Sequence, residues 1–120
     1  MRCRRGDVFF FPQNFSNNSH IQGNARPWVV VQTDIGTYNS PTTIVVPLTR
    51  SNKRANMHTH VQVKVHFLDT SYAICEQIRV VDKRENWKYV GHLPNGIMKK
   101  IDGGLEFALG LNGKGVLKSE

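Results

Sequence analysis

The sequence HTHVQVKVHF, residues 58–67, decides the fold class, because polar and apolar side chains alternate along it. Successive side chains of a β-strand point to opposite faces of the sheet. The polar side chains therefore share one face: His58, His60, Gln62, Lys64 and His66. The apolar side chains share the other: Val61, Val63, Val65 and Phe67. This pattern predicts a strand with one face in the core and the other in water.

Further strands are predicted on both sides of this segment, where branched and aromatic residues are bounded by turn-forming residues. They cover residues 5–12, 28–32, 43–48, 72–81 and 87–90, with a bend near the middle of residues 72–81. The segment between the second and third strands is predicted to be a turn, because it contains the turn-forming residues Asp34, Gly36, Asn39 and Pro41. Residues 13–25 are rich in Asn, Ser and Gly and predict a long loop, a type of segment that is commonly functional.

The spacing of apolar residues changes after residue 95, from the alternation typical of a strand to the spacing of one face of a helix. The apolar residues of that face are Ile97, Met98, Ile101, Leu105, Ala108 and Leu109. Gly103 and Gly104 interrupt this helix at about 1 kcal/mol each relative to Ala, which leaves a kink or a break there as an alternative. With no β-α-β alternation, the sequence predicts a mainly β fold, a small, strongly bent antiparallel barrel with a C-terminal helix.

Size and composition predict one domain over residues 1–112 and a loose tail over residues 113–120. No apolar run approaches the ~20 residues of a membrane span, and the first residues lead into a strand, so we expect a cytoplasmic protein without membrane contact. Cys3 and Cys75 lie far apart and predict two reduced thiols. The net charge of +7 favours an anionic partner such as nucleic acid or an acidic protein segment.

The distribution of polar residues disfavours several chemistries. Carboxylates are scattered singly, which is unlike a metal-dependent nuclease, and no glycine-rich phosphate loop is present. His58 and His60 share a strand face, but such a pair is more often an ordinary polar face than a metal site. RNA can be cleaved without metal, because its own 2'-hydroxyl is the nucleophile. Arg26, held extended by Pro27, could then stabilise charge on phosphorus, Thr49 could donate to an oxygen, and Glu76 or a histidine could move a proton.

Five blocks in a fixed order carry a family resemblance: residues 5–8, 23–27, 46–49, 59–61 and 76–82. With these blocks the chain resembles the MazF/PemK family of toxins, endoribonucleases of bacterial toxin-antitoxin systems. The resemblance implies an SH3-like barrel, a homodimer, and metal-independent cleavage of single-stranded RNA (mRNA) with no cofactor. It also implies inhibition by a cognate antitoxin with an acidic, partly disordered segment, and DNA binding together with that antitoxin.

The same resemblance assigns roles to individual residues. Arg26 matches the catalytic arginine of the family, and Thr49 matches its catalytic threonine. The plasmid-borne branch uses an arginine and an aspartate where this chain has Ile74 and Glu76, so only a carboxylate is kept. Glu76 is therefore a candidate general base or base-reading group, with a structural role as the alternative. The residues expected to bind RNA are Ser19, His20, Gln22, Arg50, Ser51, His60, Gln77 and Arg79, and His20 stands where the family commonly has a glutamate.

Two alternatives without catalysis stay open at this stage. One is a toxin of the same fold that binds DNA gyrase, as some relatives of the family do through a C-terminal helix. Here that helix is interrupted by glycines, and retention of Arg26 and Thr49 argues against this function. The other is an SH3-like RNA-binding module, which would explain the positive charge but would need exposed aromatic rings for stacking. Most aromatic residues here lie in segments predicted to be core.

Overall fold

The strands follow the predicted apolar segments closely. The computed structural model describes residues 3–10, 26–83 and 87–118. Its strands are β1 (Asp7–Phe10), β2 (Pro27–Val30), β3 (Thr42–Thr49), β4 (His60–Val63), β5 (Ser71–Ile74), β6 (Arg79–Asp82) and β7 (Lys88–His92). Its helices are α1 (Asp34–Tyr38) and α2 (Asn95–Leu109), followed by one turn of 3-10 helix (Leu111–Gly113). Within the described residues, no helix is long and apolar enough to cross a membrane.

One antiparallel sheet contains all seven strands. Its order is β4-β5-β3-β2-β1-β7, and β6 also pairs with β3. The long strand β3 therefore has β2 along one edge and two strands along the other, because β6 pairs with its first half and β5 with its last two residues. The predicted bend within residues 72–81 is confirmed, since a turn after Ile74 separates β5 from β6. The mainly β class with a C-terminal helix is likewise confirmed.

Two segments differ from the sequence prediction. β4 ends at Val63, but burial continues to alternate beyond the end of the strand. Val65 and Phe67 are half-buried, whereas Lys64 and His66 are exposed. The predicted turn after β2 contains the short helix α1. The side chain of Thr33 caps this helix by accepting a hydrogen bond from the backbone N–H of Gly36 at 3.1 Å. A capping side chain of this kind satisfies a backbone donor that a helix start leaves unpaired.

The sheet buries apolar side chains in two clusters. The larger cluster lies under α2 and includes Val8, Val29, Val46, Leu48, Val61, Val63, Ala73, Cys75, Leu93, Met98 and Ile101. The smaller cluster consists of Phe9, Trp28, Val30, Val45, Val81 and Trp87. Neighbouring residues of β1, β2 and β3 enter different clusters, as expected when successive side chains of a strand alternate in direction. Both faces of the central strands are therefore covered.

Helix α2 runs without a break through its two glycines. A Cβ on Gly104 would lie 2.7 Å from the sulfur of Cys75 and 3.2 Å from a methyl carbon of Val61, whereas a Cβ on Gly103 would meet nothing within 4 Å. Gly104 is therefore required for close approach of the helix to the sheet. The packing predicted to support this helix holds it straight, and the alternative of a kink or break at this point is not observed.

Residues 4–7 fasten the first strand to the rest of the molecule. The Nε of Arg5 donates to the carbonyl of Val31 at 2.9 Å, and its guanidinium also pairs with Asp102 on α2. The carboxylate of Asp7 is buried and accepts hydrogen bonds from the backbone N–H of Arg4 at 2.8 Å and from Nδ1 of His92 at 2.7 Å. These bonds tie the start of β1 to the residue after β2, to α2 and to β7, and the last residue of β1 and the first of β2 lie at the cleft described next.

Candidate active site

The end of the β2–β3 ladder brings two of the predicted site residues face to face. The paired residues are Trp28 with Pro47, Val29 with Val46, and Val30 with Val45. When this register is continued by two residues beyond Trp28, Arg26 falls opposite Thr49. Directly opposed residues of an antiparallel pair have Cβ atoms about 5 Å apart. Arg26 directly precedes β2 and Thr49 is the last residue of β3, so two residues separated by 23 positions in the chain meet at the margin of the sheet and line one cleft.

A cleft of about 510 Å³ opens at this margin. Strand β1 contributes its last residue, β2 its first, and β3 its last two. The remaining wall comes from the residue before β2, the segments that follow β3 and precede β5, and the first residue of β5. The lining residues are Phe10, Arg26, Pro27, Leu48, Thr49, Arg50, Ser51, Leu68, Asp69 and Ser71. The cleft combines two guanidinium groups, three hydroxyl groups and one carboxylate with apolar side chains.

Short-range hydrogen bonds order the polar wall. The hydroxyl of Thr49 accepts from the backbone N–H of Ser51 at 3.2 Å, and a hydroxyl that accepts keeps its own hydrogen for donation. The guanidinium of Arg50 donates to Asp69 at 3.2 Å. The hydroxyl of Ser71 donates to the backbone carbonyl of Asp69 at 2.8 Å, which fixes the loop before β5. The cleft therefore has an ordered rim on the side of β3 and β5.

A second polar group lies along β4 to β6 and does not line the cleft. His60 contacts Glu76 through its Nε2, 3.0 Å from the carboxylate, and the side chain of His60 is only 9% exposed against 39% for Glu76. Burial raises the pKa of Glu76, but hydrogen bonds, first from His60, outweigh this effect and hold the pKa below its usual value of 4.5. Gln77 follows in the turn after β5, and Arg79 lies opposite Val45. Gln77 and Arg79 are exposed.

The predicted site residues thus fall into three groups. The cleft unites Arg26, Thr49, Arg50 and Ser51. The structure places Glu76 beside His60, with Gln77 and Arg79, along β4 to β6. The predicted RNA-binding residues Ser19, His20 and Gln22 lie outside the described residues. The sequence analysis missed the contributions of Phe10, Leu68, Asp69 and Ser71, since only the meeting of distant strand ends brings them to the cleft.

Among residues 3–10, 26–83 and 87–118, no group of three or more His, Cys, Asp or Glu side chains could hold a metal ion. The side-chain donors available in the cleft are guanidinium and hydroxyl groups. A guanidinium stays protonated at physiological pH, and its planar fork of N–H donors matches a phosphate. A hydroxyl beside it can donate to a second phosphate oxygen. Together they can stabilise negative charge that develops on a phosphodiester.

Comparison with known proteins gives a consistent family. Residues 4–109 match the family described as PemK-like, MazF-like toxin of type II toxin-antitoxin system. The endoribonuclease EndoA of Bacillus subtilis is 37% identical over 92% of this chain and 97% of its own length. The endoribonuclease MazF of Staphylococcus epidermidis is 38% identical over 91% of this chain and 92% of its own length.

A solved structure shows the same fold. It is an endoribonuclease in complex with its cognate antitoxin from a mycobacterial species, with a TM-score of 0.75. The likeness covers 92% of this chain and 97% of that chain at 23% sequence identity. The identity is low while the coverage is nearly complete, so the likeness concerns the path of the backbone. The two chains therefore share the same fold.

Proposed function

Because the chain belongs to the PemK-like, MazF-like toxin family of type II toxin-antitoxin systems, we propose that it is an endoribonuclease that cleaves single-stranded RNA without a metal ion. The observation that supports the proposal is that Arg26 and Thr49 line the same cleft, at the end of the strands where the register of β2 and β3, continued beyond Trp28, would set them opposite each other. Both curated relatives carry the name endoribonuclease, which favours the nuclease over the gyrase-binding and RNA-binding alternatives.

In the proposed reaction the 2'-oxygen of the ribose attacks the adjacent phosphorus. The bond from phosphorus to O2' forms, and the bond from phosphorus to O5' breaks. The proton of the 2'-hydroxyl passes to a base, and the leaving 5'-oxygen takes up a proton. The products are a 2',3'-cyclic phosphate, which hydrolysis can open to a 3'-phosphate, and a 5'-hydroxyl. A duplex would hold the 2'-hydroxyl away from in-line attack and hide the base edges, so the substrate is single-stranded.

The two opposed residues have distinct roles in this proposal. Arg26 binds the non-bridging oxygens and stabilises the additional negative charge on five-coordinate phosphorus, and Thr49 donates its hydroxyl hydrogen to one of those oxygens. One preorganised donor of this kind contributes ~10²–10³ in rate. Their contribution depends on being held before the substrate arrives. The backbone N–H of Ser51 donates to the hydroxyl of Thr49, and Arg26 directly precedes β2, which supports this requirement.

The polar group along β4 to β6 is proposed to bind RNA beyond the reacting phosphate. Gln77 and Arg79 are exposed there, and Glu76 offers a carboxylate that its hydrogen bond to His60 keeps ionised. An ionised carboxylate can accept a proton or a hydrogen bond from a base edge, so Glu76 remains a candidate for either role. Arg50 and Ser51 extend the binding surface from the cleft itself.

The proposal includes two protein partners and a location. The mycobacterial structure contains a cognate antitoxin, and we propose that this chain binds one with an acidic, partly disordered segment that competes with RNA for the basic surface. We also propose a homodimer, for which light scattering after gel filtration would give twice the chain mass of 13.6 kDa. Since its substrate is RNA, the proposed location is the cytoplasm.

The decisive experiment is incubation with a long single-stranded RNA in EDTA, followed by mapping of the fragment ends. We expect discrete cuts with 5'-hydroxyl ends from the wild-type protein and a loss of ~10²-fold or more for Arg26→Ala. The matched control is Arg54→Ala, which removes the same charge from an exposed residue that does not line the cleft. Intact RNA after incubation with folded wild-type protein would refute the proposal, as would equal activity of the two variants.

A further inference from the structure

Asp69 is the single carboxylate among the described residues that line the cleft. Its presence there is unexpected for a surface that binds a phosphate chain, because an ionised carboxylate repels the phosphates that Arg26 and Arg50 attract. The chain carries a net charge of +7, so it has an excess of cations from which such a surface could be built. An acid at this position therefore calls for a reason other than binding the RNA backbone.

Stability does not supply that reason. The ion pair between Arg50 and Asp69 has an N to O distance of 3.2 Å, and both side chains are 77% exposed. Exposed pairs of this kind contribute only about 0–1 kcal/mol to folding, because water and salt screen them. Replacing Asp69 should therefore leave the fold intact, and its contribution must be sought in what the cleft binds.

The position of Asp69 is nevertheless well defined. The buried hydroxyl of Ser71 donates to the backbone carbonyl of Asp69 at 2.8 Å, and Ser71 is itself the first residue of β5. One side-chain oxygen, Oδ2, accepts from Arg50. A carboxylate has two oxygens with about four acceptor sites, so capacity remains for a ligand. The arrangement offers a hydrogen-bond acceptor, on a residue whose backbone carbonyl is held by Ser71, in the cleft that Arg26 and Thr49 also line.

The complementary ligand is a base edge with N–H donors. Carboxylates recognise the exocyclic amino group of cytosine, and adenine and guanine also carry amino groups that a single-stranded RNA exposes. Uracil has no amino group, and its one base-edge donor, N3–H, lies between two carbonyl oxygens that would face the carboxylate unfavourably. A cleft that holds a phosphate between Arg26 and Thr49 would place one of the flanking bases against the wall formed by Asp69.

We propose that Asp69 is a specificity-determining residue that selects a base with an exocyclic amino group, over uracil, at a nucleotide next to the bound phosphate. The inference rests on the proposed function for the location of that phosphate. Arg50 is a positioning residue for this selection, because its guanidinium orients the carboxylate. Asp69 itself takes no part in the proton transfers.

The test compares single-stranded oligouridines that carry one central adenine, cytosine or guanine with the all-uridine strand, in binding by fluorescence anisotropy and in cleavage in EDTA. We expect wild-type protein to prefer at least one amino-bearing strand by about tenfold, the range that one good base contact supplies. Asp69→Ala should remove this preference. Asp69→Asn should reduce it, because an amide can also donate to the carbonyl oxygens of uracil. Glu106→Gln is the control for net charge, since Glu106 lies on α2 and does not line the cleft.

The outcomes separate this inference from the proposed function. A preference in binding that disappears in Asp69→Ala supports the inference even if no strand is cleaved, in which case the proposed function fails alone. An unchanged preference in Asp69→Ala overturns it. If Asp69→Ala cleaves every oligonucleotide ~10²-fold or more slowly than wild type does, the inference is also overturned, because that result would make Asp69 a proton-transfer group. Absence of any preference in the wild-type protein overturns it as well.

Discussion

Gly104 lies so close to Cys75 that a methyl group on the glycine would come within 2.7 Å of the thiol sulfur. The sulfur belongs to a fully buried residue, and a further carbon of Cys75 and a methyl of Val61 stand within 3.3 Å, so the neighbours have little room to move. Contact at this distance fixes how near α2 can approach the sheet.

Alanine substitutions at the two adjacent glycines should therefore have opposite effects. Gly103→Ala should stabilise the protein by up to about 1 kcal/mol, since its Cβ enters open space and alanine favours the helix. Gly104→Ala should destabilise it by about 1–3 kcal/mol, because overpacking outweighs the same helical gain. Urea unfolding of the two variants measures both changes.

The double variant Cys75→Ala, Gly104→Ala provides the control for this pair. Removing the sulfur opens the space that the new methyl group needs, so the double variant should be less destabilised than the sum of the two single changes. Equal stability of Gly103→Ala and Gly104→Ala would show that the helix can shift away from Cys75 without cost.

Thr49→Val should lower RNA cleavage by ~10²–10³-fold, because it removes a hydroxyl donor while keeping the shape of the side chain. Thr49→Ser should retain most activity, since serine carries the same hydroxyl. Rates are measured in EDTA on one RNA. The matched control is Thr42→Val at the other end of β3, where the hydroxyl contacts Ser40 at 2.9 Å. Equal losses at both ends of the strand would contradict the role given to Thr49.

The contact between His60 and Glu76 should make the free energy of unfolding depend on pH, with stability lost as the pH falls. The pKa of Glu76 is lowered in the folded state, so the unfolded chain binds a proton more readily. The stabilisation is then complete above the unfolded pKa, about 4.5, and is lost as the pH falls through the lower folded value. The free energy of unfolding of wild type should therefore fall more steeply below pH 4.5 than that of Glu76→Gln. Parallel curves would mean that the contact contributes nothing.

Both cysteines should be unreactive in the native protein. Burial is the largest cause that raises the pKa of Cys3 to about 11 and that of Cys75 to about 12, so almost no thiolate exists at neutral pH. A thiol-specific dye at pH 8 should label native protein slowly and label both thiols rapidly in guanidinium chloride. Rapid labelling of Cys75 in folded protein would mean that α2 opens locally.

The sequence predicted the strands well where the pattern is local. Residues 58–67 alternate cleanly, and the side chains that were expected to be buried in that segment are buried or half-buried. The helix α1 was missed because five residues cannot show a helical period, and its start depends on a cap by Thr33. The continuity of α2 could not be predicted either, since it depends on the contact of Gly104 with a residue 29 positions earlier.

The candidate site was predictable only in part for a related reason. Arg26 was marked by the proline that follows it, and Thr49 by its place after an apolar strand that contains Pro47. Whether the two residues come close together depends on the register of β2 and β3, which cannot be read from the sequence. No local pattern in the sequence marked Asp69 as a site residue, because it is a single acidic residue in a loop. It lines the cleft only because strand ends that are distant in the sequence meet beside it.

Strand β3 is bordered along both edges, by β2 on one side and by β5 and β6 on the other. Amides in the middle of such a strand exchange with deuterium only when the whole sheet separates, because no smaller opening frees them. Thr49 is the last residue of this strand. The proposed catalytic hydroxyl is thus attached to the part of the molecule that opens last. Local opening that abolishes cleavage is therefore expected first at Arg26, Arg50 and Ser51, which line the cleft from outside the strands, and only later at Thr49.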